Sequence, residues 1–403
     1  MGAFLQRPVT SKYTEMGAKP SSNLRYAVAS MQGYRSWHED VHAVVLQPEK
    51  FEDWAYFAVF DGHAGQRCAQ LAAEDMLDYL LHELDASGAK ANESETREAI
   101  VAGFLSLDTE IMKKQDQLDT SGSTAIACFV TTTHIVFINC GDSRAVLCGG
   151  DGLVSHATID HKPTLPEERE RIKRAGGTVT LSRINNTLSL SRGLGDKSFK
   201  MNRTLGQTEQ MVSPVPVVDV RERRDDDQFV IIACDGIWDV MENQEAVDFV
   251  AKRMQIVDDL TKVASDMVDE CLYRGSKDNM TVIIVAFQSA PKLSARTIEE
   301  EAKKEDKIKK EMIEAIRDEL KDKTAVDAVD EYMIMTHIRH ELPPDYDLCG
   351  KLDFAREQLE KCKKLKAKVR AWKARQETCT KGREEQRILN FKLMYSFTKR
   401  TMN

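Results

Sequence analysis

Carboxylates stand at the ends of apolar runs in this chain. Phe57-Ala58-Val59-Phe60 runs straight into Asp61-Gly62-His63. The run Phe229 to Cys234 leads into Asp235-Gly236, with Asp239 one helical turn further on. Asp278-Asn279 directly precedes the run from Met280 to Phe287, and Glu39-Asp40 directly precedes Val41. A carboxylate where a hydrophobic strand emerges is costly to desolvate unless something positive meets it. Taken singly, each is an ordinary turn or cap residue. Brought together, they would make an oxygen-rich site for a hard divalent cation such as Mg²⁺ or Mn²⁺.

The elements that must position these groups can be read from periodicity. β-rich runs appear at Arg25–Ser30, Val41–Leu46 and Trp54–Phe60. A meander follows at Ser123–Thr131, His134–Cys140, Arg144–Cys148 and Leu153–Thr158, separated by turns so short that neighbouring strands must be antiparallel. Helical spacing predicts helices over Gln66–Leu84 and Thr96–Lys113. It predicts two more within Asn243–Tyr273, broken near Ile256–Asp259, and a start at Pro166-Glu167-Glu168 that ends at Gly176-Gly177. Helix pairs between groups of antiparallel strands imply a layered α+β architecture. The strand–helix alternation of a dinucleotide fold, a G-x-G-x-x-G motif, a P-loop and an internal repeat are all missing from the sequence.

Near Ala290-Pro291 the character changes. β-branched runs vanish, and Glu, Lys and Arg dominate. A charged helix is expected over Ile298–Leu320, and a further one from Leu348 to about Gln376 after the break at Pro343-Pro344. The 403 residues carry a net charge of −8, unevenly spread. Lys361 to Asn403 holds +11, which leaves −19 on the rest. The nine cysteines are dispersed and form no C-x-x-C pair, which fits reduced thiols in the cytosol or nucleus rather than disulfides or a zinc site. Cys128, Cys140 and Cys234 lie within apolar runs and read as packing residues. No apolar stretch approaches a membrane span, and no secretory h-region opens the chain.

Six segments occur in one order: Asp61-Gly62-His63-Ala64-Gly65, Gly141-Asp142-Ser143-Arg144, Asp160-His161-Lys162-Pro163, Ser191-Arg192-Gly193-Leu194-Gly195-Asp196, Asp235-Gly236-Ile237-Trp238-Asp239 and Ser276-Lys277-Asp278-Asn279. Together they resemble the type 2C, metal-dependent protein serine/threonine phosphatases, over residues 23 to 290. The start, Met1-Gly2-Ala3-Phe4-Leu5, and the helical appendage are similar to the animal alpha/beta subgroup. Gly193 stands where that family usually has Ala, His38 where it has Met, and Lys200–Gly206 departs from the close relatives. The resemblance implies a central β-sandwich of two antiparallel sheets flanked by helix pairs, plus a C-terminal all-α appendage. It divides the chain into an N-terminal segment (1–22), a catalytic domain (23–290) and a helical appendage with a basic tail (291–403).

The chemistry it implies is hydrolysis of phosphoserine and phosphothreonine in proteins by a hydroxide bridging two Mn²⁺ or Mg²⁺ ions. Carried over by motif, Asp61 would bridge both ions and the Gly62 carbonyl would bind one. Asp235 and Asp278 would bind the other. Glu39 and Asp40 would hold water on the ions, and Asp142 with Asp239 would complete a weaker third site. Arg35 would bind the phosphoryl group through its planar fork, and His63 would be the general acid. His42 and His161 match family positions as supporting residues, and Arg192 would anchor the flap or contact substrate. The C-x₅-R loop of cysteine phosphatases is missing from the sequence, which argues against a phosphocysteine route. The rival readings are an inactive pseudophosphatase scaffold, disfavoured because every ligand carboxylate is present, and a metal-dependent phosphohydrolase of small molecules. Phosphoproteins are the expected partners, no specific nucleic acid is expected, and the chain reads as a monomer. Gly2 raises acylation, although Gln6 breaks the M-G-x-x-x-[ST] pattern. The basic helix Lys361–Arg375, with Leu365, Val369 and Trp372 in one stripe, would bind an acidic partner, a calmodulin-like groove or an anionic membrane surface, lie on the chain's own acidic body, or pack within the appendage.

Overall fold

The structure is a computed structural model that describes residues 4–88, 93–116, 118–321, 329–368 and 370–371. The strands begin with β1 (Val9–Lys19), β2 (Leu24–Gly33), β3 (Val41–Val45), β4 (Ala55–Phe60) and the short β5 (Gly62–His63). Next come β6 (Gly122–Ser123), β7 (Ala125–Val130), β8 (His134–Cys140), β9 (Arg144–Cys148) and β10 (Val154–Ala157). The series ends with β11 (Val179–Thr180), β12 (Arg183–Ile184), β13 (Leu194–Gly195), β14 (Val217–Glu222), β15 (Phe229–Ala233) and β16 (Met280–Ala286). The helices are α1 (Arg67–Ser87), α2 (Glu93–Lys114), α3 (Pro166–Arg174), α4 (Asp235–Trp238), α5 (Asn243–Ile256), α6 (Leu260–Tyr273), α7 (Ala295–Lys321) and α8 (Glu331–Glu341).

Two antiparallel sheets carry the fold. One runs β1-β2-β16-β15-β9-β10 and the other β14-β8-β7-β4-β3. The inner strands β4, β7, β15 and β16 are buried along their whole length and run apolar because both faces are covered. In β4, Ala55, Phe57 and Val59 join a core shared with Val28, Val230, Ile232, Ile283 and Val285 of the facing sheet. The alternate residues Tyr56, Ala58 and Phe60 pack on the opposite face against Leu71, Met76 and Leu80 of α1 and Ile100, Phe104 and Leu107 of α2. Helix α6 covers β2 and β16 of the other sheet. The sandwich flanked by helix pairs is therefore the architecture found. Removing one large inner side chain, such as Phe57, would cost about 3–5 kcal/mol.

Strand register delivers the acidic groups to one edge. Ala233 pairs with Val282 and with Arg144, so the end of β15 lies beside the starts of β16 and β9. Met280 pairs with Met31, which brings the end of β2 to the same place. In the other sheet Val59 of β4 pairs with Ile126 of β7, and just beyond them Gly62 of β5 pairs with Ser123 of β6 in a small three-stranded sheet, β13-β6-β5.

Residues 9–19, set apart from the catalytic domain in the sequence reading, form the edge strand β1 and pair antiparallel with β2, with one register irregularity between Val9 and Lys12. Their alternation of exposed and half-buried positions gives no apolar signal. Helix α7 is longer than expected, and α8 arises before Pro343, where none was expected. Asp330 caps α8 by accepting from Tyr332 and Met333 N–H groups. Residues 352–368 are helical, whereas Val369, Trp372 and the basic segment beyond lie outside the described residues. Two compact units divide at Lys303/Lys304. The second buries Ile308, Met312, Ile316 and Leu320 of α7 and Ile334, Met335 and Ile338 of α8. No helix among the described residues is long and apolar enough to cross a membrane.

Candidate metal centre and active site

At the shared sandwich edge lies a cavity of about 880 Å³, lined by Arg35, Glu39, Asp61, Gly62, His63, Asp142, Asp235 and Asp278 among others. Its lining comes from β5, β12 and the connections between many other strands, so no single segment of sequence defines it. Asp61 follows β4, and its backbone is stapled to Thr124: its N–H donates to Thr124 Oγ1 at 3.1 Å, and its carbonyl accepts from Thr124 N at 3.0 Å. Gly62 must be glycine because a Cβ there would lie 2.5 Å from the Glu39 carbonyl oxygen. Gly236 is tighter still, with a Cβ position 1.9 Å from the Asn279 carbonyl oxygen. That approach presses Asp235 and Asp278 together.

Asn279 organises the loop after β2. Its Oδ1 accepts from Glu39 N at 2.8 Å, and its Nδ2 donates to the Gln32 and Trp37 carbonyls at 2.8 and 3.0 Å. Glu39 in turn accepts from Gly65 N at 2.7 Å. Asp40 is buried; one oxygen accepts from Thr281 Oγ1 at 2.7 Å. Its other oxygen, Oδ1, is buried with no hydrogen-bond partner among the described residues. Asp40, Asp61 and Cys234 each place one ligating atom within 4.8 Å of the others. Burial, and secondarily the neighbouring Asp40 and Asp61 carboxylates, holds the Cys234 thiol far above its ordinary range, so it remains a neutral packing group.

Burial first, then the mutual repulsion of Asp235, Asp40, Asp278 and Asp142, pushes the Asp61 carboxyl well above its usual range. Burial, then Asp142 and Asp278, does the same to Asp235, with Lys162 opposing. Converging, poorly solvated carboxylates of this kind destabilise one another until a cation sits among them. The orphaned Asp40 oxygen and the all-oxygen carboxylate set therefore fit a hard divalent ion.

Not every expected residue is free for such a role. Asp142 accepts from Lys162 Nζ at 2.5 Å, which already neutralises one of its oxygens. Asp239 is exposed and does not line the cavity. Arg35 grips Asp278 with two hydrogen bonds, Nε to Oδ1 at 2.8 Å and Nη2 to Oδ2 at 2.5 Å. Nη1 is the edge of its fork left to meet a phosphoryl oxygen.

His63 has a partner that sequence reasoning passed over. Its Nε2 lies 2.8 and 2.9 Å from the two oxygens of buried Asp196. Burial opposes the charged ring, but the Asp196 carboxylate outweighs it and raises the His63 pKa. Asp196 was visible only as the last residue of a motif, and 133 residues separate the pair. His42 faces Glu15 on β1 at 3.3 Å, away from the cavity. His161 supports the site indirectly: its Nδ1 accepts from Gly141 N at 3.1 Å, next to Asp142. Burial and Arg192 hold His161 down at about 4. Arg192 serves as an anchor, bonding Glu168 at 2.7 Å and the Val215 carbonyl at 3.1 Å. In the segment that departs from the close relatives, Lys200 is buried against Asp108 at 2.7 Å and also donates to the Gly193 carbonyl at 2.9 Å.

Comparison with known proteins agrees with this geometry. The Protein phosphatase 2C family matches residues 24–280, and the Protein serine/threonine phosphatase 2C C-terminal domain matches residues 281–360. The chain is 44% identical over 324 residues to mouse Protein phosphatase 1A, covering 79% of this chain and 84% of the relative. It is 42% identical over 367 residues to mouse Protein phosphatase 1B, covering 87% and 92%. Among solved structures, a phosphatase from Toxoplasma gondii superposes with a TM-score of 0.60 at 28% identity, over 69% of this chain and 96% of its own. This chain belongs to the protein phosphatase 2C family, whose members are Mn²⁺- or Mg²⁺-dependent enzymes acting on phosphoproteins.

Proposed function

We propose that the chain hydrolyses phosphoserine and phosphothreonine in proteins at a centre of two Mn²⁺ or Mg²⁺ ions, with His63 as general acid. The observation that carries this reading is the convergence of Asp61, Asp235 and Asp278 with Arg35 and His63 in one cavity. Asp61 and the Gly62 carbonyl would hold one ion, Asp61, Asp235 and Asp278 the other, and Glu39 and Asp40 would act through water. The exposure of Asp239 weighs against including a third ion. When bound, the ions supply positive charge opposite the phosphoryl oxygens and make water nucleophilic near neutral pH.

The chain's own residues do the rest. Arg35, fixed by Asp278, presents Nη1 to the phosphoryl group. Asp196 takes one N–H of the His63 ring at Nε2 and favours its protonated form. The Nδ1 proton is then the one given to the departing seryl or threonyl alkoxide. Turnover of a phosphothreonine peptide and of a nucleotide, each with Mn²⁺, tests the reading. Peptide hydrolysis well above nucleotide hydrolysis is expected; nucleotide hydrolysis with inert peptides would overturn it.

A further inference from the structure

The cavity is larger than a phosphoryl group needs, and its wall is partly apolar. Trp37, Leu188, Leu190 and Phe199 line it together with the acidic residues. Leu188, Leu190 and Phe199 belong to a small core under the β11–β12 flap. Trp37 is different: its side chain is 77% exposed, in the loop that carries Arg35 and Glu39. That loop is not a loose tip. Gln32 Nε2 donates to the Arg35 carbonyl at 2.8 Å, Asn279 Nδ2 to the Trp37 carbonyl at 3.0 Å, and Glu39 N to Asn279 Oδ1 at 2.8 Å. The backbone is thus fixed by the same residue that sits beside Asp278, while the indole faces solvent at the cavity. An exposed indole on a fixed backbone offers a ready surface for an apolar partner.

We infer that Trp37 is a specificity-determining residue: it forms an apolar platform for an aliphatic or aromatic side chain next to the phosphorylated residue of a polypeptide substrate. The inference rests on the phosphoprotein reading above. The exposed indole face and the apolar lining residues Leu188, Leu190 and Phe199 fit an apolar neighbour; carboxylates line the same cavity, so a basic neighbour is the control that separates attraction by charge from contact with the indole. Covering roughly 60 Å² of indole would correspond to about tenfold in KM.

The test uses the full-length enzyme with Mn²⁺ and two phosphothreonine peptides, one with Leu and one with Ser beside the phosphorylated residue. A third peptide carries Lys there. Wild type is expected to favour the Leu peptide about tenfold in kcat/KM, through KM. Trp37→Ala should abolish that preference with kcat little altered, and Trp37→Phe should restore most of it. Equal use of all three peptides by wild type, or a Leu preference untouched in Trp37→Ala, would overturn the inference while leaving the phosphatase reading intact. A Trp37-dependent preference for Lys would also overturn it, in favour of a cation–π site. Failure of wild type on every peptide would instead count against the phosphatase reading itself.

Discussion

Asp196→Asn isolates the proton-transfer step. The substitution keeps size and hydrogen-bonding shape and removes one negative charge. Asp196 has a left-handed backbone, φ 53°, which Asn adopts as readily, so backbone strain does not confuse the result. The side chain is buried and meets His63 Nε2 at 2.8 and 2.9 Å. A hydrogen bond to a charged group is worth about 1.5–3 kcal/mol, so its loss should slow alkyl phosphate hydrolysis by about 10- to 150-fold. Because Asp196 raises the His63 pKa, the acid form is lost at lower pH in the variant. The alkaline limb of the phosphopeptide profile should therefore shift to lower pH. Hydrolysis of p-nitrophenyl phosphate, whose leaving group scarcely needs a proton, should fall far less. Stopped assays of both substrates at saturating Mn²⁺ measure the ratio directly. Equal losses on both substrates, with no shift of the limb, would refute a proton donated from His63.

Two further outcomes are expected. Gly236→Ala should lower the thermal midpoint by several degrees and weaken Mn²⁺ binding, because its Cβ would collide with the Asn279 carbonyl at 1.9 Å; an unchanged midpoint in a calorimetric scan would contradict the close approach. His161 stays neutral in the fold down to about 4, from an ordinary value of 6.5, so the unfolded chain takes up its proton first as pH falls. Stability is then lost between those values, by about 2 kcal/mol from pH 7 to pH 5, and urea midpoints of His161→Gln should show a correspondingly flatter acid limb than wild type.

Much of the sandwich was legible because its strands are buried on both sides. Runs such as Phe229–Ala233 and Met280–Ala286 have nothing else to be. β1 was not, since an edge strand of Val9-Thr10-Ser11-Lys12 type is half exposed and polar. Asp61, Asp235 and Asp278 could be found because a carboxylate abutting an apolar run stands out locally. The pairs Asp196–His63, Arg35–Asp278 and Lys162–Asp142 could not be assigned from spacing, because they are made by register between distant strands and loops. Trp37 carries no local signal; only its exposure beside the cavity distinguishes it.

The central claim is that Asp61 and Asp235 hold the ions that power hydrolysis. Calorimetric titration of Mn²⁺ into wild type, Asp61→Asn and Asp235→Asn, with phosphopeptide turnover in the same samples, tests it most directly. The account predicts Mn²⁺ binding by wild type, turnover that follows occupancy and vanishes reversibly with a chelator, and variants that keep the wild-type circular dichroism. In those variants both affinity and rate should fall, the rate by about 10³-fold or more. Full turnover in excess chelator, or near-normal Mn²⁺ binding and rates in both variants, would contradict it.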